Sequence, residues 1–131
     1  MRAWKIHHVG IATRNLDGLT GRLEGVGFDV ERRFSDPLQG VDGAFLLGGD
    51  ARVELLAPLD GSDTLEPWLT AGNRMYQIAV EVDDLDAEIA SVRDAGGRLV
   101  REPMPAVAFD GRRIAFMMIG TGFLLELIES A

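Results

Sequence analysis

The sequence predicts an α+β protein made of two βαβββ modules. One observation behind this prediction is an internal repeat in the chain of 131 residues, in which HVGIA at 8–12 aligns with QIAVE at 77–81. AFLL at 44–47 also aligns with AFMM at 115–118, and VELL at 53–56 aligns with LELI at 125–128. The offset drifts from 69 to 72 residues, as loop insertions between matched elements would produce. The other observation is that each copy gives one strand, one helix and then three strands.

The N-terminal module covers about residues 5–60. Its predicted strands are residues 6–11, 27–34, 43–47 and 52–57. The apolar stripe of its helix is Leu16, Leu19 and Leu23. Within that helix Gly18 and Gly21 are each unfavourable by about 1 kcal/mol relative to Ala. Gly48-Gly49-Asp50 is expected to form a hairpin turn.

A short linking helix at about 62–72 leads to the C-terminal module, which covers about 74–131. The predicted strands of this module are residues 78–82, 98–102, 113–118 and 123–128. Its helix begins at Asp84, a suitable N-cap, and ends at Gly96 and Gly97. The apolar stripe of that helix is Leu85, Ile89 and Val92. Both modules are expected to form one domain, residues 1–131.

Acidic residues outnumber basic ones by 21 to 13, which gives a formal net charge of −8. Such a chain is poorly suited to bind nucleic acid or an anionic membrane. The chain has no cysteine, so disulfides and thiolate metal sites are excluded. No apolar run reaches the roughly 20 residues of a membrane span, and the first residues lack the apolar core of a signal peptide. We therefore expect a cytoplasmic protein that acts on a small molecule.

The repeat relates four polar positions to one another, His8 to Gln77 and Glu54 to Glu126. If the modules pack around a pseudo-twofold axis, these positions approach each other across it. His8 and Gln77 lie on the strand face opposite the aliphatic residues that would cover the helices. Glu126 has apolar neighbours on both faces of its strand. A carboxylate there costs several kcal/mol unless it is paired or bound to a cation.

One imidazole, two carboxylates and one amide oxygen form a set of four ligands for one divalent metal ion. This nitrogen and oxygen set suits Zn, Ni, Co, Mn or Fe and leaves open positions for water or substrate. A substrate that chelates the ion through a carbonyl and an adjacent oxygen would have its enolate stabilised while a carboxylate moves the proton.

Each of the four residues also has an ordinary structural interpretation. His8 would be a hydrogen-bonded residue at the start of a strand, and Gln77 would bond to the backbone or a neighbouring strand. Glu54 would pair with Arg52, which shares its strand face, and Glu126 would lie on a solvated edge strand at the chain end. The symmetry-related placement of all four residues favours the metal interpretation over four separate explanations.

The segments IHHVGIA at 6–12, VELLAPL at 53–59 and LLEL at 124–127 resemble the ligand-bearing strands of the vicinal oxygen chelate superfamily. This superfamily includes glyoxalase I, methylmalonyl-CoA epimerase, extradiol dioxygenases and bleomycin-resistance proteins. The resemblance implies a glyoxalase-like fold, in which paired βαβββ modules form a cup from a curved mixed sheet. It also implies that His8, Glu54 and Glu126 are metal ligands. Gln77 falls where glyoxalase I and the epimerases most often have His.

Within the superfamily the sequence looks most like methylmalonyl-CoA epimerase and glyoxalase I. QGV at 39–41 fits the epimerases, but Gly43 stands where those enzymes usually carry a glutamate that moves a proton. The adjacent Asp42 would point to the opposite strand face. Glu54 stands where the epimerases typically have Gln, and a glutamate there is the glyoxalase-like choice.

The resemblance implies a divalent-metal-dependent isomerase or lyase that transfers a proton next to a carbonyl. Glu126 would carry the proton, with Glu54 as its symmetry mate. The substrate would be an acyl-CoA epimer or a thiol hemithioacetal, and we expect a homodimer. The alternative from a different class is a metal-free module of the bleomycin-resistance type, which sequesters a flat or aromatic ligand in the cup. A dioxygenase is a third, disfavoured interpretation, because the usual iron set is two His and one carboxylate.

Overall fold

The computed structural model describes residues 4–120 and 122–131. Its strands are β1 (Lys5–Ala12), β2 (Asp29–Asp36), β3 (Val41–Gly48), β4 (Ala51–Pro58), β5 (Met75–Val82), β6 (Arg98–Leu99), β7 (Met104–Pro105), β8 (Arg113–Met118) and β9 (Leu124–Glu129). Its helices are α1 (Leu16–Gly25), α2 (Glu66–Ala71) and α3 (Leu85–Asp94), with a 3-10 turn at Val107–Phe109. This mixed α+β content confirms the predicted fold class. None of the helices in the described ranges is long and apolar enough to cross a membrane.

The chain divides into two compact units, which we call the N-terminal unit (His8–Tyr76) and the C-terminal unit (residues 4–7, 77–120 and 122–131). In the N-terminal unit the strand order is β2-β3-β4-β1, with β1 parallel to β4 and the other pairs antiparallel. In the C-terminal unit the order is β5-β9-β8-β6, and β7 also pairs with β8. Here β5 is parallel to β9, so the two units repeat the same pattern of pairing.

Helix α1 covers one face of the N-terminal unit's sheet. Its apolar stripe packs with Ile11 against a buried cluster of Ala44, Leu46 and Leu55. The helix begins at Asn15, whose side-chain oxygen accepts a hydrogen bond from Gly18 N at 2.9 Å. A Cβ on Gly18 would lie 2.4 Å from Asn15 Nδ2, so a glycine at this position leaves room for the capping side chain.

Helix α3 covers the equivalent face of the C-terminal unit. Asp84 is its N-cap and accepts a hydrogen bond from Ala87 N at 3.0 Å, as the sequence predicts. The predicted stripe is buried, and it packs with residues of β5, β8 and β9 in one cluster: Leu85, Ile89 and Val92 with Val80, Val82, Ala115, Met117, Leu125 and Leu127. The two sheet faces of each unit are thereby distinguished, since one face carries a helix and the other carries the polar residues described below.

Several elements differ in extent from the prediction. The linking helix predicted at about 62–72 is observed as Glu66–Ala71, and the strand predicted at 78–82 is observed as Met75–Val82. The strand predicted at 27–34 is observed as Asp29–Asp36, and the strand predicted at 98–102 ends at Leu99. A second short segment, β7, then pairs with β8. Pro103 immediately precedes β7 and Pro105 is its second residue. Both lack the N–H that a continuous ladder requires, so the long strand is broken into two.

Candidate metal site

The N-terminal unit holds two of the four predicted ligands, His8 on β1 and Glu54 on β4. Gly10 is the register partner of Glu54 across the parallel pair, so His8, two residues earlier, shares the strand face of Glu54. The His8 Nε2 atom lies 3.2 Å from Glu54 Oε1. His8 is 1% exposed and Glu54 is 4% exposed, and the imidazole packs edge-on to Phe45 with ring centroids 5.3 Å apart.

Arg52 is the residue that the sequence offers as a structural partner for Glu54. In the structure its guanidinium is bound to Glu31 on β2, with Nε–Oε1 at 2.9 Å and Nη2–Oε2 at 3.0 Å. This bidentate geometry engages two of the guanidinium donors with one carboxylate. Glu54 faces the imidazole of His8 in a buried setting.

The C-terminal unit holds the other two predicted ligands, Gln77 on β5 and Glu126 on β9. Glu126 is the register partner of Ala79 on β5, so Gln77 shares its strand face. Gln77 Nε2 donates a hydrogen bond to Glu126 Oε1 at 3.3 Å, and both residues are 2% exposed. Because β9 lies between β5 and β8, Glu126 is not on a solvated edge strand.

The two carboxylates occupy equivalent places in the two units. Glu54 pairs with Phe45 on β3, and Glu126 pairs with Phe116 on β8. Their partners on the parallel strands, Gly10 and Ala79, are also matched by the sequence repeat. The repeat is therefore present in the strand register as well as in the amino-acid pattern. Each unit therefore holds a buried carboxylate beside a second ligand-type side chain, Glu54 beside His8 and Glu126 beside Gln77.

The face of the N-terminal unit that carries His8 and Glu54 has no carboxylate at position 43. Gly43 pairs with Phe34, and a Cβ on Gly43 would lie 2.2 Å from Phe34 Cζ, so the ring occupies the space of a side chain there. Asp42 is one residue away and so points to the opposite face, as expected from the sequence. Sequence reasoning did not assign Phe34 or Phe45 to this face, although the alignment of Phe45 with Phe116 was visible.

These features define a protein of paired βαβββ units with buried carboxylates at matching positions, and the comparison with known families agrees. A family model described as the Glyoxalase/Bleomycin resistance protein/Dioxygenase superfamily matches residues 7–116. The chain belongs to this superfamily.

Its relatives include epimerases and a lyase. The ethylmalonyl-CoA/methylmalonyl-CoA epimerase of Cereibacter sphaeroides is 24% identical over 116 residues, which cover 86% of this chain and 87% of that protein. A probable lactoylglutathione lyase of Vibrio cholerae is 39% identical over 59 residues, 45% of this chain and 42% of that one. A Streptomyces coelicolor methylmalonyl-CoA epimerase variant in complex with 2-nitronate-propionyl-CoA has a TM-score of 0.81 at 30% identity, with 97% of each chain covered. The epimerase of Mycobacterium tuberculosis has a TM-score of 0.79 at 33% identity, with 96% of this chain and 87% of that chain covered.

Proposed function

We propose that this protein is a divalent-metal-dependent isomerase or lyase that transfers a proton next to a carbonyl. The proposed ligands are His8, Glu54, Gln77 and Glu126, and the proposed substrate is an acyl-CoA or a thiol adduct. The observation that carries the proposal is the pair of buried carboxylates at equivalent register positions, each with a ligand-type side chain beside it. The epimerase and lyase relatives support the reaction class.

The distances within each unit fit coordination to an ion. Two ligand atoms that are each about 2.1 Å from one ion, at ordinary coordination angles, lie roughly 3.0–3.4 Å apart. The 3.2 Å between His8 Nε2 and Glu54 Oε1 falls in this range. The 3.3 Å between the Gln77 amide and Glu126 Oε1 also fits, because rotation of the amide exchanges its nitrogen and oxygen. The donor set of imidazole, carboxylate and amide oxygen suits a first-row divalent ion.

Burial also favours a cation here. Glu54 and Glu126 are each less than 5% exposed, and an ionised carboxylate loses most of its hydration free energy at such a position. A divalent ion shared by the two carboxylates would offset that loss. Aspartate or glutamate buried in this way is uncommon unless it is paired or coordinates a metal.

In the proposed reaction Glu126 removes the proton next to the substrate carbonyl and returns it. The hydrogen bond from Gln77 Nε2 orients the carboxylate for this transfer. Glu54 holds the symmetry-related position and is oriented by His8 in the same way. A bound divalent ion would supply Lewis-acid stabilisation of the negative charge that develops on the carbonyl oxygen.

A second candidate function is metal-free sequestration of a small flat ligand. Two observations favour it over catalysis: Gln77 is an amide where an imidazole would bind an ion more strongly, and the half-buried Phe34 ring offers an apolar contact. The two functions differ in their response to a chelator. A sequestering protein binds its ligand equally well with chelator present, whereas the proposed enzyme loses activity and regains it with a divalent ion.

The test is metal content by mass spectrometry, on protein purified without a metal-affinity tag and then reconstituted with Co²⁺ or Ni²⁺. We expect about one ion per chain in the wild type and none in His8→Ala or Glu126→Ala. Matched controls are His7→Ala and Glu129→Ala, since His7 packs against Phe109 and Glu129 bonds to an arginine. Both controls should keep the ion. A wild type that holds no ion at near-millimolar supply would contradict the enzyme proposal and favour sequestration.

A further inference from the structure

Two aromatic rings lie on the same sheet face of the N-terminal unit as His8 and Glu54. Phe34 on β2 pairs with Gly43 on β3, and Phe45, two residues along β3, pairs with Glu54 on β4. The ring centroids of Phe34 and Phe45 are 5.5 Å apart, and those of Phe45 and His8 are 5.3 Å apart. We call Phe34 and Phe45 the aromatic wall.

The position of Phe34 depends on the absence of a side chain at Gly43. A Cβ there would lie 2.2 Å from Cζ of the Phe34 ring, and 2.6 and 2.7 Å from its two Cε atoms. Any other residue would therefore displace the ring from β3. The equivalent pair in the C-terminal unit is Met104 opposite Ile114. The aromatic wall is thus a feature of one unit and not a consequence of the repeat.

The chemistry of the wall differs from that of the residues beside it. Phe45 is buried, whereas Phe34 is half-buried and offers part of its ring for contact. Neither ring carries charge, so an anionic or strongly hydrated group would lose hydration against them without gaining a partner. A flat apolar group would instead gain apolar contact and an offset-stacked or edge-to-face arrangement with an aromatic ring.

We propose that the substrate carries an aromatic or other flat apolar group next to its two chelating oxygens, and that the aromatic wall binds this group. This inference rests on the metal site proposed above. It assigns Phe34 as a residue that determines substrate preference, and it assigns no proton transfer to the wall.

The test is calorimetric titration of the Co²⁺-loaded protein with benzohydroxamate and acetohydroxamate. The two compounds present the same pair of vicinal oxygens and differ in a phenyl against a methyl group. We expect benzohydroxamate to bind the wild type at least about tenfold more tightly, which is the size of one good aromatic contact. In Phe34→Ala this preference should fall to about threefold or less, while the acetohydroxamate affinity and the cobalt content stay unchanged.

Phe28→Ala is the matched control, because the Phe28 ring lies over Gly48 in a similar way but packs in the core beneath α1. It should keep the wild-type preference. If Phe34→Ala does not fold, Phe34→Leu gives the same readout, since it keeps apolar volume and should still reduce the preference at least about threefold.

An unchanged preference in the Phe34 variants, with cobalt bound, overturns the inference and leaves the metal site standing. Loss of cobalt in these variants also overturns it, because the ring would then be a support for the ligands. If the wild type takes up no cobalt and binds neither hydroxamate, the metal site itself is refuted, and the role of the wall falls with it.

Discussion

Replacing Glu126 by Gln separates the chemistry of this buried carboxylate from its packing. The two side chains have nearly the same shape, and the residue is 2% exposed, so the substitution opens no cavity. The glutamine keeps an oxygen that can accept the hydrogen bond from Gln77 Nε2, which is 3.3 Å long in the native protein. The variant loses the base. A positioned general base contributes at least about 10²-fold to rate, so turnover should fall by that factor or more, roughly 2.7 kcal/mol.

Unlike its turnover, the free energy of unfolding of Glu126→Gln should not fall. Weakening one hydrogen bond from charge-assisted to neutral costs about 1 kcal/mol. Removing an ionised carboxylate from a buried position relieves a desolvation penalty of several kcal/mol. We therefore expect metal-free Glu126→Gln to be at least as stable as the metal-free wild type in urea unfolding at pH 7. A carboxylate that lowers stability and is needed for turnover would be retained for function.

The assay is exchange of the substrate proton in D₂O, followed by NMR on metal-loaded protein with methylmalonyl-CoA and with the hemithioacetal of glutathione and phenylglyoxal, which carries a phenyl group next to its two oxygens. Glu129→Gln is the control, because it makes the same substitution on the same strand, where the carboxylate bonds to Arg113 at 2.7 Å. Its exchange rate should equal that of the wild type. If Glu126→Gln exchanged the proton at the wild-type rate, Glu126 would not be the proton carrier. If its metal-free form lost more than about 2 kcal/mol, the carboxylate would be a structural element.

Two further predictions concern stability. Gly21→Ala should stabilise the protein by about 1 kcal/mol, because nothing lies within 4 Å of the added Cβ, whereas Gly18→Ala should give no gain, because its Cβ would displace the capping side chain of Asn15. If urea unfolding showed equal increases in stability for the two variants, the capping role of Asn15 would be contradicted. The hydrogen bond from Arg113 holds the pKa of the Glu129 carboxyl below its ordinary value of 4.5, so the pair stabilises the native state above that pH and stops doing so as the pH falls through the lower native pKa. Glu129→Gln should therefore be less stable than the wild type at pH 7 by an amount that shrinks below pH 4.5, and a gap independent of pH would show that packing is responsible.

The parts of the fold that could be predicted are those that local pattern and the repeat both specify. Asp84 was recognisable as an N-cap because its side chain satisfies a free N–H at the helix start, whatever the rest of the chain does. The placement of His8 and Gln77 on the face opposite the aliphatic residues followed from strand alternation, and the equivalence of His8 to Gln77 and of Glu54 to Glu126 followed from the repeat. The structure brings each of these two pairs within 3.3 Å.

The aromatic wall could not be predicted, because a β-bulge changes which face the residues of β2 occupy. Val30 packs in the core beneath α1, and simple alternation would place Phe34 on that same face. The register of β2 on β3 shifts between Val30 and Arg32, so the residues after the shift change faces. Phe34 consequently pairs with Gly43. No feature of the sequence marks a bulge at this position.

The two repeats differ at some positions around the proposed site, and these differences affect how a substrate would be oriented. Both copies carry a glutamate with equivalent strand partners, Glu54 and Glu126, as the proposed metal site requires. The copies differ at His8 and Gln77, and Gly43 is matched by a larger residue. A substrate with a carbonyl at one end of the reacting bond has no twofold symmetry, so a site built from two identical copies would bind it equally well in two opposite orientations. Differences between the copies remove that degeneracy. In the proposed site the residues that differ between the two copies therefore set the orientation of the substrate.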